Sequence, residues 1–294
     1  MMRPNKITLF SFVFLFAMSS SMVRGAAPGA QLELIASKDN LVFDKDWQNF
    51  GGVAGVMPGG FFGIPTFEPA GGGGPARFTA MEERKVFGGP PAFNPVIHLE
   101  NWTFEIVLKR NGPGFGDAHH VAGFHVVTGE GDVANALDFT WDGEQGQWIM
   151  LGFTEKDTGK MFLGLKGVGE APQKAEVLEN IVDIGLNKWH HILFTYKNET
   201  GRLEVWVDAV RTEVVKEKHN FATDVKGKSV DMKFIAIFTG VDELAGRAVQ
   251  TFNGSIHLVR VYDRVLDGEE IQQNFSVEPA NKLTTIWGRV KTVY

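Results

Sequence analysis

Chemistry in this sequence would have to come from carboxylates, imidazoles and indoles, because its 294 residues include no cysteine. Thiolate metal sites, iron–sulfur clusters, cysteine nucleophiles and disulfide frameworks are excluded with it. Two carboxyl groups held about 5–9 Å apart can serve as acid and nucleophile or base on a glycosidic bond. Residues i and i+2 of a strand share a face at ~6.6 Å, within that range. Acidic i, i+2 pairs occur at Asp44/Asp46, Glu130/Asp132, Asp142/Glu144, Glu155/Asp157 and Asp267/Glu269, but most sit in turns and none continues to i+4. Glu204 and Asp208 share a strand face but stand ~13 Å apart, too far for either mechanism. The pattern speaks against a retaining glycosidase of this design and leaves open an acid pair meeting across strands.

The imidazoles are doubled at His119-His120 and His190-His191, with His125 close to the first pair. Adjacent strand residues point to opposite faces, so each doublet offers one ring per face, which is poor for zinc. Among the aromatics, Trp102 and Trp189 sit within apolar strand patterns and are expected in the core. Trp141, Trp148 and Phe115 flank glycine-rich turns and are better placed to meet a ligand. Sugars stack their C–H faces on such rings. The candidate ligand-binding set is therefore Trp141, Trp148, Phe115, His119 and His120, with no catalytic residue assigned. Two nucleotide motifs fail on context. Gly227-Lys228-Ser229 lacks the earlier glycine of a phosphate loop, and Gly129 to Ala134 runs into the strand-like Asp138 to Trp141 instead of a helix.

The elements that must position these groups are strands. Residues Asn101 to Arg110 alternate Trp102, Phe104, Ile106 and Leu108 with Thr103, Glu105 and Lys109, the period-two pattern of a half-buried strand. Further strands are predicted at Val121–Thr128, Ala136–Trp141, Gln147–Phe153, Met161–Lys166, His190–Tyr196, Arg202–Asp208, Met232–Phe238 and Ser255–Tyr262. Turns such as Asn111-Gly112 and Thr200-Gly201 separate them. One helix is signalled at Gly268–Phe275: Asp267 and Glu270 form a capping box, and Leu266 and Ile271 a hydrophobic staple. The stretch Gly51–Gly74 holds ten glycines and three prolines, too many for a helix or a central strand. Its interleaved Phe61, Phe62, Ile64 and Phe67 suggest a surface-pinned loop, an interdomain linker being the competing reading.

The first 27 residues have the layout of a secretory signal peptide: Arg3 and Lys6, then the apolar run Ile7–Met18, then small residues with cleavage near Gly25 to Ala27. Twelve apolar residues are too few to cross a bilayer, which takes about 20. Without Arg3, Lys6 and Arg24 the formal charge falls from −6 to −9. Such a surface repels nucleic acid and anionic lipid.

Two stretches carry a family resemblance. Lys188 to Tyr196 followed by Gly201 to Asp208 is similar to the W-H-H-x-x-x-x-Y … L-x-x-Y-V-D-G hairpin of laminin-G-like domains of the concanavalin A-like lectin/glucanase superfamily. Asn253 to Leu266 with Glu269, Glu270 and Ile271 resembles that family's closing strand and short helix. The resemblance runs from Asn101 to Phe275. It implies an all-β, two-sheet antiparallel jelly-roll sandwich with one short C-terminal helix. The expected organisation is a leader over 1–27, a jelly roll over 28–276 (a Gly/Pro-rich part at 28–95, the recognisable core at 96–276) and a tail over 277–294. Family members bind glycans, calcium or proteins, and some cleave glycans. Here His257 stands where the family often has Asp, and Asp208-Ala209 where it has Asp-Gly. The first change weakens a Ca2+ site, which needs six or more oxygen ligands. The expected function is a secreted, non-catalytic module binding a glycan or an extracellular protein through the concave face or strand-end loops. A glycoside hydrolase or lyase of the same fold is the alternative, and a structural extracellular or envelope protein the third.

Overall fold

A computed structural model describes residues 26–53, 55–57, 59, 63–82, 85–88, 97–99, 101–114, 119–128, 147–153, 159–166, 176–197, 199–215, 230–238 and 251–277. The described strands are β1 (Ala30–Ile35), β2 (Leu41–Val42), β3 (Asp46–Gln48), β4 (Val56–Met57), β5 (Thr66–Glu68), β6 (Arg77–Thr79), β7 (Ile97–Leu99), β8 (Trp102–Arg110) and β9 (His119–Thr128). They continue with β10 (Gln147–Phe153), β11 (Lys160–Lys166), β12 (Glu176–Asp183), β13 (Trp189–Lys197), β14 (Arg202–Val207), β15 (Val210–Val215), β16 (Val230–Ile237) and β17 (Gly254–Tyr262). Helix α1 (Gly268–Val277) follows. The predicted strands at 101–110, 121–128, 147–153, 161–166, 190–196, 202–208, 232–238 and 255–262 each coincide with one of these to within two residues at either end. The predicted strand at Ala136–Trp141 lies outside the described residues.

One sheet has the order β15-β14-β13-β8-β17-β6-β5, with β1 also on β17, and a second has the order β12-β11-β10-β9-β16-β7. All pairings within them are antiparallel. Phe104, Ile106, Leu108, Ile192, Phe194 and Val259 from the first sheet meet Val121, Leu151, Phe153, Met161 and Ile237 from the second in one core. Trp102 is in that core, stacked on Tyr196 at 5.5 Å. A small sheet, β2-β3-β4, adds Trp47 and Met57, and Trp47, Phe78 and Phe87 pack mutually at 4.7–5.0 Å.

The N-terminal segment completes the larger sheet. Strand β6 pairs with Ser255 and Ile256 of β17, and β1 with Leu258 to Tyr262. The exchange happens at His257, where the β8–β17 register slips by one residue. The His257 ring donates from Nδ1 to the Ala76 carbonyl at 2.6 Å, and its own carbonyl accepts from the Ala36 amide at 2.8 Å. A β-bulge thus lets one strand edge serve two partners in succession.

Strand β8 departs from the half-buried expectation, since all but Lys109 of its residues are buried. Its outward side chains lie under α1 and the N-terminal residues, because Leu193, Tyr262, Leu266, Ile271 and Ala27 form a second apolar cluster on that side. The helix starts as its sequence signals. Asp267 Oδ1 accepts from the amides of Glu269 and Glu270 at 2.9 Å, Glu270 Oε2 accepts from the Asp267 amide at 3.1 Å, and Leu266 and Ile271 share one cluster.

Candidate ligand-binding surface

The outward face of the larger sheet has three zones, set by strand alternation. At one end, Thr66, Thr79, Ser255, Lys109 and Trp189 are successive Cα partners across β5, β6, β17, β8 and β13. Two residues along, Glu68 faces Arg77 and the two form an ion pair. Thr79 and Ser255 share a hydroxyl hydrogen bond of 2.9 Å, and Asn111 Nδ2 donates to Ser255 Oγ at 3.2 Å. Trp189 and Ile35 both pack on the buried pair Val107 and Leu258, and the Lys109 ammonium stands 5.7 Å from the Trp189 ring centroid. Residues Gly71–Gly74 form a closed tip with reciprocal bonds of 3.0 and 3.1 Å. A methyl group on Gly74 would lie 2.7 Å from Trp189 Nε1, so only glycine lets this tip settle against the indole.

The zone is electrostatically tuned. Burial, and then the charge of Arg77, hold the Lys109 ammonium below its ordinary range, and Glu68 offsets this only in part. Burial alone would raise the Glu68 carboxyl, but hydrogen bonds from Thr79 and Arg77 with the charges of Arg77 and Lys109 hold it low.

The middle zone is closed. Glu105 is fully buried and accepts four hydrogen bonds: His191 Nε2 at 2.6 Å, Arg260 at 3.3 Å, the Tyr262 hydroxyl at 3.3 Å and Asn274 Nδ2 at 2.8 Å. Arg260 also donates to Glu33 at 2.7 Å, and Asn274 Oδ1 accepts from the Ala27 amide at 2.6 Å. Burial, then the Glu105 charge, push the Tyr262 phenol up, so it stays protonated as a donor. This network ties the sheet to α1 and to the N-terminal residues.

At the other end, the Trp206 indole donates to Glu204 at 3.3 Å, Arg202 and Arg211 pair with Glu204, and Arg211 stands 5.9 Å over the ring. On the inward side of the sheet, His190 Nδ1 donates to Asp208 Oδ2 at 3.1 Å while Asp208 Oδ1 accepts the His191 amide at 2.9 Å. The two histidines of the doublet therefore serve opposite faces, as alternation requires. Among the described residues, no three His, Asp or Glu side chains converge as a metal-ligand set. Nor is any described helix long and apolar enough to cross a membrane.

Of the sequence-derived candidates, Phe115 and Trp141 lie outside the described residues. His119 and His120 begin β9 and Trp148 lies near the start of β10. The register pairs Phe153 with His119, Gly152 with His120 and Trp148 with His125. Trp148 and the doublet thus occupy opposite ends of this strand pair, about 16 Å apart over five residues. Sequence reading missed Trp189, Lys109, Arg77 and Glu68 as one surface group. For Trp189 the signal was present: it has the parity of His191 and Leu193, opposite to Ile192 and Phe194, so it faces outward and is half-buried instead of in the main core.

A family profile described as the concanavalin A-like lectin/glucanases superfamily matches residues 124–272. No curated protein matches the chain in sequence. Among solved structures, domain 4 of AbnA, a GH43 extracellular arabinanase from Geobacillus stearothermophilus in complex with arabinotriose, superposes with a TM-score of 0.53 at 12% identity. That match covers 84% of this chain and 98% of that one. The botulinum neurotoxin serotype G binding domain gives 0.49 at 12% identity over 85% of this chain, and this chain spans about half (51%) of that domain's length. The CBM40 of a Ruminococcus gnavus IT-sialidase bound to alpha2,3 sialyllactose gives 0.41 at 15% identity, over 59% of this chain and 82% of that one.

Proposed function

The chain belongs to the concanavalin A-like lectin/glucanase superfamily, and from that premise we propose that it is a secreted, non-catalytic module that binds a saccharide. The observation that carries the reading is the row Thr66–Thr79–Ser255–Lys109–Trp189, in which a half-buried ammonium and a half-buried indole stand in register with an exposed Thr66, the Thr79 and Ser255 hydroxyls being buried between them. An indole with polar groups in register beside it can stack on a sugar ring while directing hydrogen bonds to its hydroxyls. The arabinotriose complex of the Geobacillus stearothermophilus domain gives the reading its precedent on this fold.

The non-catalytic part rests on the sequence, in which no acidic i, i+2 pair continues to i+4. Trp141, Trp148, Phe115, His119 and His120 are a second proposed contact set. The separation of Trp148 from the histidine doublet requires a chain of several sugars to touch both. Export rests on the leader-like first 27 residues.

The test is binding of the full chain without its leader to a panel of neutral and acidic polysaccharides, with and without chelator. Expected is saturable binding to at least one polymer, weakened about tenfold or more by Trp189→Ala, the scale of losing a buried aromatic contact. Absence of binding across the panel overturns the reading, and cleavage of any polymer overturns its non-catalytic part.

A further inference from the structure

The end zone that carries the saccharide reading is unbalanced in its hydrogen bonding. Among the described residues nothing accepts a hydrogen bond from the Lys109 ammonium, and no carboxylate pairs with it. The indole N–H of Trp189 is likewise uncommitted, and Arg77 Nε is buried with no partner. The other two guanidinium nitrogens are used, by the Pro75 carbonyl at 3.1 Å and by Glu68. The local acceptors are satisfied as well: the Thr79 and Ser255 hydroxyls bond each other, and Glu68 is paired. Since Arg77 Nε is buried, what remains for a ligand is two uncommitted donors, the Lys109 ammonium and the Trp189 N–H, and, counting Lys109 and Arg77 against Glu68, one net positive charge.

A neutral sugar, whose hydroxyls both donate and accept, leaves a donor-only set partly unmet. A single anionic acceptor meets it. A dianion would face Glu68 and a protein of net charge −6. We propose that this zone is a subsite for a carboxylate-bearing sugar, the carboxylate seated between Lys109 and the Trp189 N–H with the ring against the indole. The proposal rests on the saccharide reading and narrows it to a chemical class. The net charge disfavours polyanions overall, and the proposal rests on the local positive charge of this spot. Glu68 acts in this scheme as an internal competitor for Arg77.

The experiment compares polygalacturonate with the same polymer fully methyl-esterified, and both with dextran sulfate, by calorimetric titration of the full chain without its leader. Expected is tighter binding of polygalacturonate than of its ester, falling with added salt. Lys109→Gln should weaken polygalacturonate binding about tenfold, the scale of one charge-assisted hydrogen bond, and leave the ester unchanged. Glu68→Gln should tighten polygalacturonate binding about threefold by releasing Arg77. A gain cannot come from misfolding. Equal affinity for acid and ester, or polygalacturonate binding indifferent to both substitutions, overturns the proposal while the saccharide reading stands. Preference for dextran sulfate over polygalacturonate overturns the carboxylate class. Failure to bind any of the three also overturns the proposal, and the broader polysaccharide panel then decides the reading beneath it.

Discussion

Replacing Glu105 should release α1 from the sheet. In Glu105→Ala the four donors around its carboxylate lose it unequally. Arg260 keeps Glu33 at 2.7 Å, and Asn274 keeps the Ala27 amide and the Tyr262 hydroxyl at 3.0 Å. His191 keeps nothing, because its Nδ1 is already buried without a partner and Nε2 bonds only Glu105. An unsatisfied buried polar group costs about 1–3 kcal/mol, and deleting a carboxylate that faces a buried guanidinium costs ~3–5 kcal/mol as a whole. Since Arg260 retains one partner, about 3–4 kcal/mol is expected for Glu105→Ala. About 2 kcal/mol is expected for Glu105→Gln, which keeps volume and one acceptor but presents an N–H to a neighbouring donor. At ~2–4 °C per kcal/mol for a domain of this size class, the alanine variant should melt ~6–16 °C lower. Calorimetry at neutral pH gives the shift, and hydrogen exchange of the Gly268–Val277 amides shows where the loss occurs. A change under ~1 kcal/mol in both variants would refute the reasoning, because the network would then contribute through shape alone.

Four further outcomes are expected. The Asp208 carboxyl is buried enough for desolvation to raise it, but the hydrogen bonds from His190 and the His191 amide, with the charges of both rings, hold it low. Its stabilisation is then fully present above the unfolded value of 3.8 and lost as pH falls through the folded value. Asp208→Asn should flatten the fall in urea midpoint below pH ~4, and an unchanged slope contradicts this. Ala209 sits at φ +61° in the β14–β15 turn, where an L-residue costs ~1–2 kcal/mol, so Ala209→Gly should stabilise by about 0.5–1 kcal/mol after the unfolded-state entropy of glycine. Phe43, at φ +53° and 84% exposed, should gain by about the same amount as Phe43→Asn, a residue that tolerates the left-handed region. Asp267→Ala removes both amide caps of α1 and should cost ~1 kcal/mol by chemical denaturation.

How much was legible follows from how local each signal is. Strands β8, β13 and β17 announce themselves because the inward parity of Phe104, Phe194 and Val259 is written every second residue. The helix is legible because its cap and staple lie within five residues. The partner of the N-terminal strand is not, since β1 pairs with β17 over more than 220 positions and no short-range pattern encodes that pairing. Strand β5, three residues at a sheet edge, sits inside a glycine-dense stretch that reads as loop. Glu105 reads as an ordinary outward polar residue of an alternating strand. Its burial depends on Asn274 and Ala27 closing over it, at separations of 169 and 78 residues. The Trp189 zone is hidden for the same reason, because Lys109, Arg77 and Glu68 join it only through cross-strand register.

The same non-local pairing explains why the proposed subsite lies where it does. Helix α1 and strand β1 both approach the larger sheet at the Leu258–Tyr262 half of β17, and there the outward face is sealed by the Glu105 network and the apolar cluster of Leu193, Tyr262 and Ile271. Past the His257 bulge, β17 turns to β6, which brings β5 and the glycine tip but no covering helix. The bulge therefore divides the face into a half sealed by α1 that holds the sandwich together and a half without a covering helix, where Thr79 and Ser255 are still buried but Lys109 and Trp189 are only partly so. A donor left unpaired in the sealed half would cost stability outright. In the other half Lys109 and the Trp189 N–H can be left for a ligand to satisfy, and the fold pays little for keeping them.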